Sequence, residues 1–171
     1  MPAGFTPAQE RSLKHQAKLL QFTATLVVIA AVLNFLRIGG VFPFLFAAVD
    51  GSGGGDEAAA LLRNLVAAIP TFFYIGAVWI AGGIFARVGQ GEIFTVRNSR
   101  ALAMVGGAVG LGAASAIVII PPLLAWIDGI PYRFESAPSD MLLAVIGGLI
   151  QMLGFTHAKA GAIRSELDEI I

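Results

Sequence analysis

The chain has 171 residues, of which 57% are hydrophobic and 13% are charged, and its mean hydropathy is +0.81. One soluble core of this size cannot hide so much apolar surface, so the composition argues against a water-soluble domain. The 11 basic and 11 acidic residues cancel, which excludes a chain-wide basic field for gathering nucleic acid. The absence of cysteine excludes disulfides, thiolate catalysis and cysteine metal sites.

Charged residues divide the chain into long apolar windows. A helix rises about 1.5 Å per residue, so a window of about 18 residues or more can cross hydrocarbon about 30 Å thick. The windows are continuous rather than alternating, which disfavours a membrane β-barrel. The sequence therefore predicts an all-α integral membrane four-helix bundle, a single domain with spans at about 19–36, 64–86, 101–127 and 141–158.

The first helix is predicted to begin near Pro7 and to continue without a break into span one. Thr6, Pro7 and Gln9 have the order of an N-cap, a first-turn proline and a capping-box partner. The helix then repeats apolar or small residues at alternating four- and three-residue spacing, at Leu13, Ala17, Leu20, Ala24, Val27 and Ala31. Such a stripe is typical of left-handed antiparallel helix packing.

Span four carries the same stripe beyond its last membrane residue, which predicts helical extensions at 7–18 and 159–171. Spans one and four run in opposite directions, so we expect these extensions to pair, with Arg11 near Glu166. Exposed ion pairs stabilise by only about 0 to 1 kcal/mol, so apolar contacts must supply most of the stability. Two independent solvated tails are the alternative.

Two features interrupt the apolar pattern. Segment 38–49 is apolar but too short to cross, so it is expected at the outer interface or packed against the bundle. The glycine-rich segment 51–56 lacks a preceding strand and a following Lys-Ser or Lys-Thr, which indicates a flexible linker rather than a phosphate loop. Pro70, Pro121 and Pro122 each remove a backbone donor and predict kinks or helix ends.

Small residues mark the expected helix contacts, because helices in lipid associate through close packing rather than the hydrophobic effect. Packing within one bundle is the first interpretation of these faces, and a homo-oligomer interface is the second. The candidates on spans two, three and four are Ala77, Ala81, Gly82, Ala86, Gly106, Gly110, Ala114, Ala144 and Gly148.

The basic residues predict the orientation. Eight of them lie in the N-terminal arm, the loop 87–100 and the C-terminal tail, whereas only Arg37, Arg63 and Arg133 lie on the alternate side. Basic residues are retained in the cytoplasm. Both termini and the middle loop are therefore predicted to be cytoplasmic, in a multi-pass protein of the inner membrane.

Few polar groups fall within the spans, and no ionisable residue lies near a predicted bilayer midpoint. Asn34 and Gln151 are read as interhelical hydrogen-bond partners, and His157 as a residue at headgroup level. No serine, histidine and carboxylate gather as a triad, and no two-histidine metal motif occurs. The sequence therefore predicts a non-enzymatic protein without a catalytic, metal or cofactor site.

The middle loop has the most distinct local pattern. Gly89 and Gly91 favour a turn, and Thr95 is placed to cap the following helix. Basic side chains here can meet anionic lipid headgroups, at about 1 kcal/mol each near the surface. The candidate interaction residues on the cytoplasmic side are Glu92, Phe94, Arg97, Arg100, Arg11 and Glu166.

This loop also carries a family resemblance. The stretch GEIFTVRNSRAL at 91–102 resembles the glycine, phenylalanine and arginine-leucine pattern of a family of small bacterial membrane proteins called domain of unknown function 2975, and the tail 160–170 resembles that family after its fourth span. The resemblance implies a bacterial inner-membrane location and four helices, without an activity or cofactor. It also implies a cytoplasmic regulatory protein as a partner, since some relatives accompany small helix-turn-helix regulators. The glycine-rich outer loop is not part of the match.

The leading hypothesis is a non-enzymatic interaction or regulatory module that acts through its cytoplasmic face. Its expected partners are the lipid bilayer and a cytoplasmic regulatory protein or a second copy of the chain, with no direct contact to nucleic acid. The alternative is a small-solute or ion transporter or channel subunit. That alternative requires a polar path among Asn34, Thr71, Tyr74, Ser115 and Gln151.

Overall fold

The computed structural model describes residues 7–38, 41–50, 55–92, 95–134 and 137–168, and within these ranges it is helical without strands. The π-helical turn Ser115–Ile119 joins the fifth and sixth of the α-helices. The α-helices are α1 (Pro7–Ile38), α2 (Val41–Val49), α3 (Gly55–Ala67), α4 (Ile69–Gly89), α5 (Val96–Ala114), α6 (Ile120–Asp128) and α7 (Pro138–Asp168).

Four stretches are long and apolar enough to cross a membrane, which indicates a multi-pass membrane protein. They are Arg11–Arg37, Ile69–Gly89, Val96–Asp128 and Pro138–Gly161. Their large apolar side chains point outward: Phe22 is 63% exposed, Trp79 65% and Met152 72%. Lipid is the solvent that makes such an apolar surface stable. A helix can cross lipid because its backbone groups are hydrogen-bonded within the helix. The predicted all-α class is confirmed.

The spanning helices pack in chain order. α1 contacts α4, α4 contacts α5, and α5 makes its largest interface with α7. Within the described residues α1 and α7 share no comparable interface, so the predicted seam between spans one and four is not seen there. The described core consists of eight alanines and Ile120, as expected for a row of closely approaching helices without a central layer of large side chains.

The α1–α4 interface is built on small residues spaced one heptad apart. A Cβ added to Gly89 would lie 3.5 Å from the Cβ of Ala17, and one added to Gly82 would lie 3.4 Å from that of Ala24. The two helices are therefore antiparallel. Leu20 and Val27 belong to the predicted stripe but are exposed. Only Ala17 and Ala24 of the stripe are buried, because they are the residues that contact the glycines of α4.

The α5–α7 interface is closer still. A Cβ on Gly106 would lie 2.6 Å from the carbonyl oxygen of Gly147, and one on Gly154 would lie 2.7 Å from the Cα of Ala103. Backbone meets backbone here, and only glycine allows it. Gly106 and Gly110 were correctly predicted on this face.

The predicted partner face on α7 is right for Ala144 and wrong for Gly148. Ala144 is half-buried, with its carbonyl oxygen 3.9 Å from a Cβ built on Gly110, whereas Gly148 faces open space and the closest approach is made by Gly147 and Gly154. On α5, Ala114 is exposed. The contacting glycines of α7, Gly147 and Gly154, are seven residues apart, which is the repeat of a left-handed helix pair. A search for small residues spaced by four does not find this repeat.

Pro70 lies at a helix boundary and Pro121 at a distortion of the helix, as predicted. α3 ends at Ala67, and Pro70 lies in the first turn of α4, so the predicted span at 64–86 is divided at Ala68. Before Pro121 the helix widens into the π-helical turn, where the Ile120 amide donates to the Ser115 carbonyl. Prolines lack the amide that would restore the α-helical ladder, which explains the local widening.

At the opposite end of the row from the α4–α5 connection lie α2, α3 and the end of α6. α2 packs against α1 and α3, and α3 packs against α6. Arg63 of α3 pairs with Asp128 of α6 at 3.2 Å. The apolar segment predicted at 38–49 therefore contains a short helix, α2, packed back on the other helices. Residues 51–54 of the predicted linker lie outside the described residues, whereas Gly55 and Asp56 are not linker but the first turn of α3.

Candidate interaction site at the α4–α5 connection

The antiparallel order places four helix ends together. The N-terminal part of α1, the end of α4, the start of α5 and the end of α7 share what is called here the loop end of the row. α7 follows α5 in the same register to this end, since a Cβ on Gly161 would lie 3.6 Å from Val96 Cγ2. α1 and α7 both extend as helices past the α4–α5 connection, and residues 169–171 of the predicted C-terminal extension lie outside the described residues.

The α4–α5 connection starts, at residues 90–92, with a hydrogen-bonded turn. The amides of Gln90 and Glu92 both donate to the Arg87 carbonyl at 3.0 Å, and the Gly91 amide donates to Val88 at 3.0 Å. Gly91 has φ of 92°, a left-handed conformation that favours glycine. The glycine turn predicted at this point is confirmed.

α5 begins with a side-chain cap. The Thr95 hydroxyl accepts a hydrogen bond from the Asn98 amide at 3.2 Å, which confirms Thr95 as the N-cap. The Ser99 hydroxyl donates to the Thr95 carbonyl at 3.2 Å. These bonds fix where the helix starts and therefore which way its first-turn side chains point.

Asn98 is the central residue of the connection. Only 6% of it is exposed; its Oδ1 accepts from Arg87 Nε at 2.6 Å, and its amide nitrogen donates to the Glu92 carbonyl. One buried amide thus ties the end of α4, the turn and the start of α5. Sequence reasoning missed this role, although an asparagine three residues after a capping threonine resembles a capping box, in which the N3 side chain reaches back to the backbone.

The predicted interaction residues surround this core. Glu92, Arg97 and Arg100 are exposed, and together they are called the loop face. Because Asn98 is fixed between Arg97 and Arg100, the two guanidinium groups project from a defined helical turn rather than from a loose loop. Phe94 lies outside the described residues.

Arg11 is exposed on the extension of α1. The side chain of Glu166 lies outside the described part of α7, so their predicted pairing stays a prediction. The main interfaces of α1 and α7 are with α4 and α5.

The intramembrane polar residues do not gather in one place. Asn34, Thr71 and His157 are exposed, and Gln151 lies in the α5–α7 contact, with Nε2 3.3 Å from a Cβ built on Gly107. Tyr74 and Ser115 each contact Gly112: the tyrosine ring lies against it, and the serine hydroxyl donates to its carbonyl at 2.7 Å.

The fold and the site thus define a multi-pass α-helical membrane protein with an ordered polar connection at one end. No protein-family model, curated protein or solved structure matches the chain.

Proposed function

We propose that the protein is a non-enzymatic interaction module of the bacterial inner membrane, with its loop end in the cytoplasm and its loop face contacting a cytoplasmic regulatory protein. The excess of basic residues at the loop end supports the orientation. The resemblance to domain of unknown function 2975 is the basis for the proposed partner and for the bacterial membrane.

The single observation that carries the proposal is the Asn98 network. A buried side chain that bonds both an arginine and a backbone carbonyl ties the end of α4 to the start of α5, and a connection needed only to join two spans does not require this. Arg97 and Arg100 therefore project from a helical turn fixed by side-chain bonds, and both are exposed, as is Glu92. Rigid presentation lowers the entropy lost on binding, which favours recognition of an acidic partner surface.

Charge reversal tests the loop face. The variant Arg97→Glu/Arg100→Glu is expected to lose a protein partner that wild type retains when purified in mild detergent, because two attractive charges become repulsive. Quantitative mass spectrometry of the co-purified proteins measures the loss.

Arg133→Glu is the matched control, since Arg133 is exposed near the other end of the row, and it is expected to retain the partner. An unchanged set of co-purified proteins in the double variant would contradict the proposal. A reporter fused after Ile171 tests the orientation separately, and its appearance outside the cytoplasm would overturn it.

A transporter or channel subunit is the second candidate, favoured by one observation. The Tyr74 hydroxyl is buried and has no hydrogen-bond partner among the described residues, and the ring that carries it lies against Gly112. Buried hydroxyls are normally bonded. A permeating ion or solute could use such a group.

Tyr74→Phe separates the two candidates. If the hydroxyl is unpartnered in the folded protein, its removal is expected to leave stability unchanged or raise it by about 1 kcal/mol, because an unmet desolvation cost disappears. Thermal unfolding in detergent, with and without monovalent salts, is the measurement. A loss of stability that depends on one particular ion would instead favour the transporter.

A further inference from the structure

A groove of about 190 Å³ runs between α1 and α4 on the outer surface of the helix row. Ala24, Gly82 and Gly83 line it, and the two helices approach closely at Gly82, where a built Cβ would lie 3.4 Å from the Cβ of Ala24. Trp79 forms an apolar wall and is 65% exposed. Gln21 and Thr25 add uncharged polar groups to the α1 side.

Two cations stand at the loop end of this groove. Arg87 lies one turn beyond Gly83, and its Nη1 is 3.7 Å from a Cβ built there, so the guanidinium lies beside Gly83, which lines the groove. Lys18 lies one turn before Gln21 and is exposed. The register that pairs Ala17 with Gly89 places Lys18 and Arg87 at the same level.

The Arg87 guanidinium is also oriented by the connection. Its Nε donates to Asn98 Oδ1, which leaves the two terminal nitrogens for another acceptor. No carboxylate within the described residues forms an ion pair with it. A guanidinium held in this way presents a fork suited to the oxygens of a phosphate group.

We propose that this groove binds one anionic phospholipid, with its phosphate between Arg87 and Lys18 and an acyl chain along Trp79. The chemical groups along the groove occur in the same order, from the loop end inward, as the chemical groups of a phospholipid. At about 1.5 Å per residue, Gln21 lies about 4.5 Å deeper than Lys18, and Trp79 lies about 12 Å deeper than Arg87. Charge, then neutral polarity, then apolar surface is the sequence from phosphate through glycerol esters to hydrocarbon.

A free phosphate is a poorer fit, because it would use the two cations and leave the apolar wall unused. The site is distinct from the loop face, whose arginines lie on α5. Loss of a protein partner and loss of the lipid can therefore be separated by substitution.

Tryptophan quenching tests the proposal. The chain has two tryptophans, so Trp126→Phe leaves Trp79 as the only reporter. In mixed bilayers, phosphatidylglycerol with brominated chains is expected to quench Trp79 more strongly than brominated phosphatidylcholine at the same mole fraction. The preference corresponds to about fivefold in relative affinity per contacting charge.

Three further variants in this background complete the test. Lys18→Gln and Gly83→Leu, the second filling the groove, are each expected to remove most of the preference, whereas Arg37→Gln at the other end of α1 is expected to keep it. Equal quenching by the two lipids, or a preference that survives both Lys18→Gln and Gly83→Leu, would overturn the proposal. Competition by inorganic phosphate as effective as that by phosphatidylglycerol would also overturn it, since it would identify a simple anion site.

Discussion

Replacing Gly147 with alanine is expected to destabilise the protein by about 3 kcal/mol, at the upper end of the cost of overpacking. The new Cβ would lie 2.8 Å from the Gly106 carbonyl oxygen and 2.8 Å from the Gly110 Cα. Both neighbours are backbone atoms of α5 and cannot rotate away. Relief requires α5 and α7 to separate, which weakens the largest interface of the fold along its whole length.

The adjacent glycine provides a control of identical composition. Nothing lies within 4 Å of a Cβ on Gly148, so Gly148→Ala is expected to be neutral, or stabilising by up to about 1 kcal/mol through helix propensity. Unfolding of both variants by heat or by sodium dodecyl sulfate in one detergent gives the comparison. Similar stabilities for the two variants would show that α5 and α7 do not approach as closely as described.

Replacing Asn98 with alanine is expected to cost about 2 kcal/mol and to loosen the α4–α5 connection. The change removes the bonds to Arg87 and to the Glu92 carbonyl. Their loss leaves a cation and a carbonyl without partners at a part-buried site. The desolvation cost of such unpaired groups is larger than the net free energy that a hydrogen bond contributes to stability. Faster amide hydrogen exchange at Gln90 and Glu92 would report the loosening.

Ser99→Ala is the matched control for the connection. The Ser99 hydroxyl bonds only the carbonyl of its own helix turn, so its loss is expected to change stability by less than about 1 kcal/mol and to leave exchange in the turn unaltered. Asn98→Asp separates the two bonds of Asn98. It keeps an acceptor for Arg87 but replaces the donor to the Glu92 carbonyl with a carboxylate oxygen. Exchange rates in Asn98→Ala equal to wild type would contradict the assigned role.

Much of the helix architecture could be predicted because its signals are local. The order Thr-Pro-x-Gln predicted a helix start near Pro7, which is the first residue of α1, and the predicted N-cap Thr6 lies outside the described residues. Thr95 was correctly expected to cap α5. Pro70 correctly indicated a helix boundary, although within a window that had been taken as one span. Length and hydropathy were sufficient for the four long apolar helices, since these properties depend on the solvent rather than on particular contacts.

Which helix each spanning helix packs against could not be predicted in the same way. The stripe containing Ala17 and Ala24 shows which face of α1 packs, but glycines on α4 and on α7 could both accept it. The choice of α4 depends on tertiary contacts distant in sequence. Asn98 was missed for a similar reason, because its importance arises from Arg87, which reaches it only after the chain has turned.

The order of the helices has a consequence for biogenesis. Each spanning helix after the first packs against the spanning helix before it, so every newly inserted segment finds a docking surface already in the bilayer. Assembly can therefore proceed as a succession of neighbouring hairpins while synthesis continues, without waiting for the C-terminal span to complete a central core. The glycine-lined junction of the last two spans would then form at the end, and this would make it the step most sensitive to error.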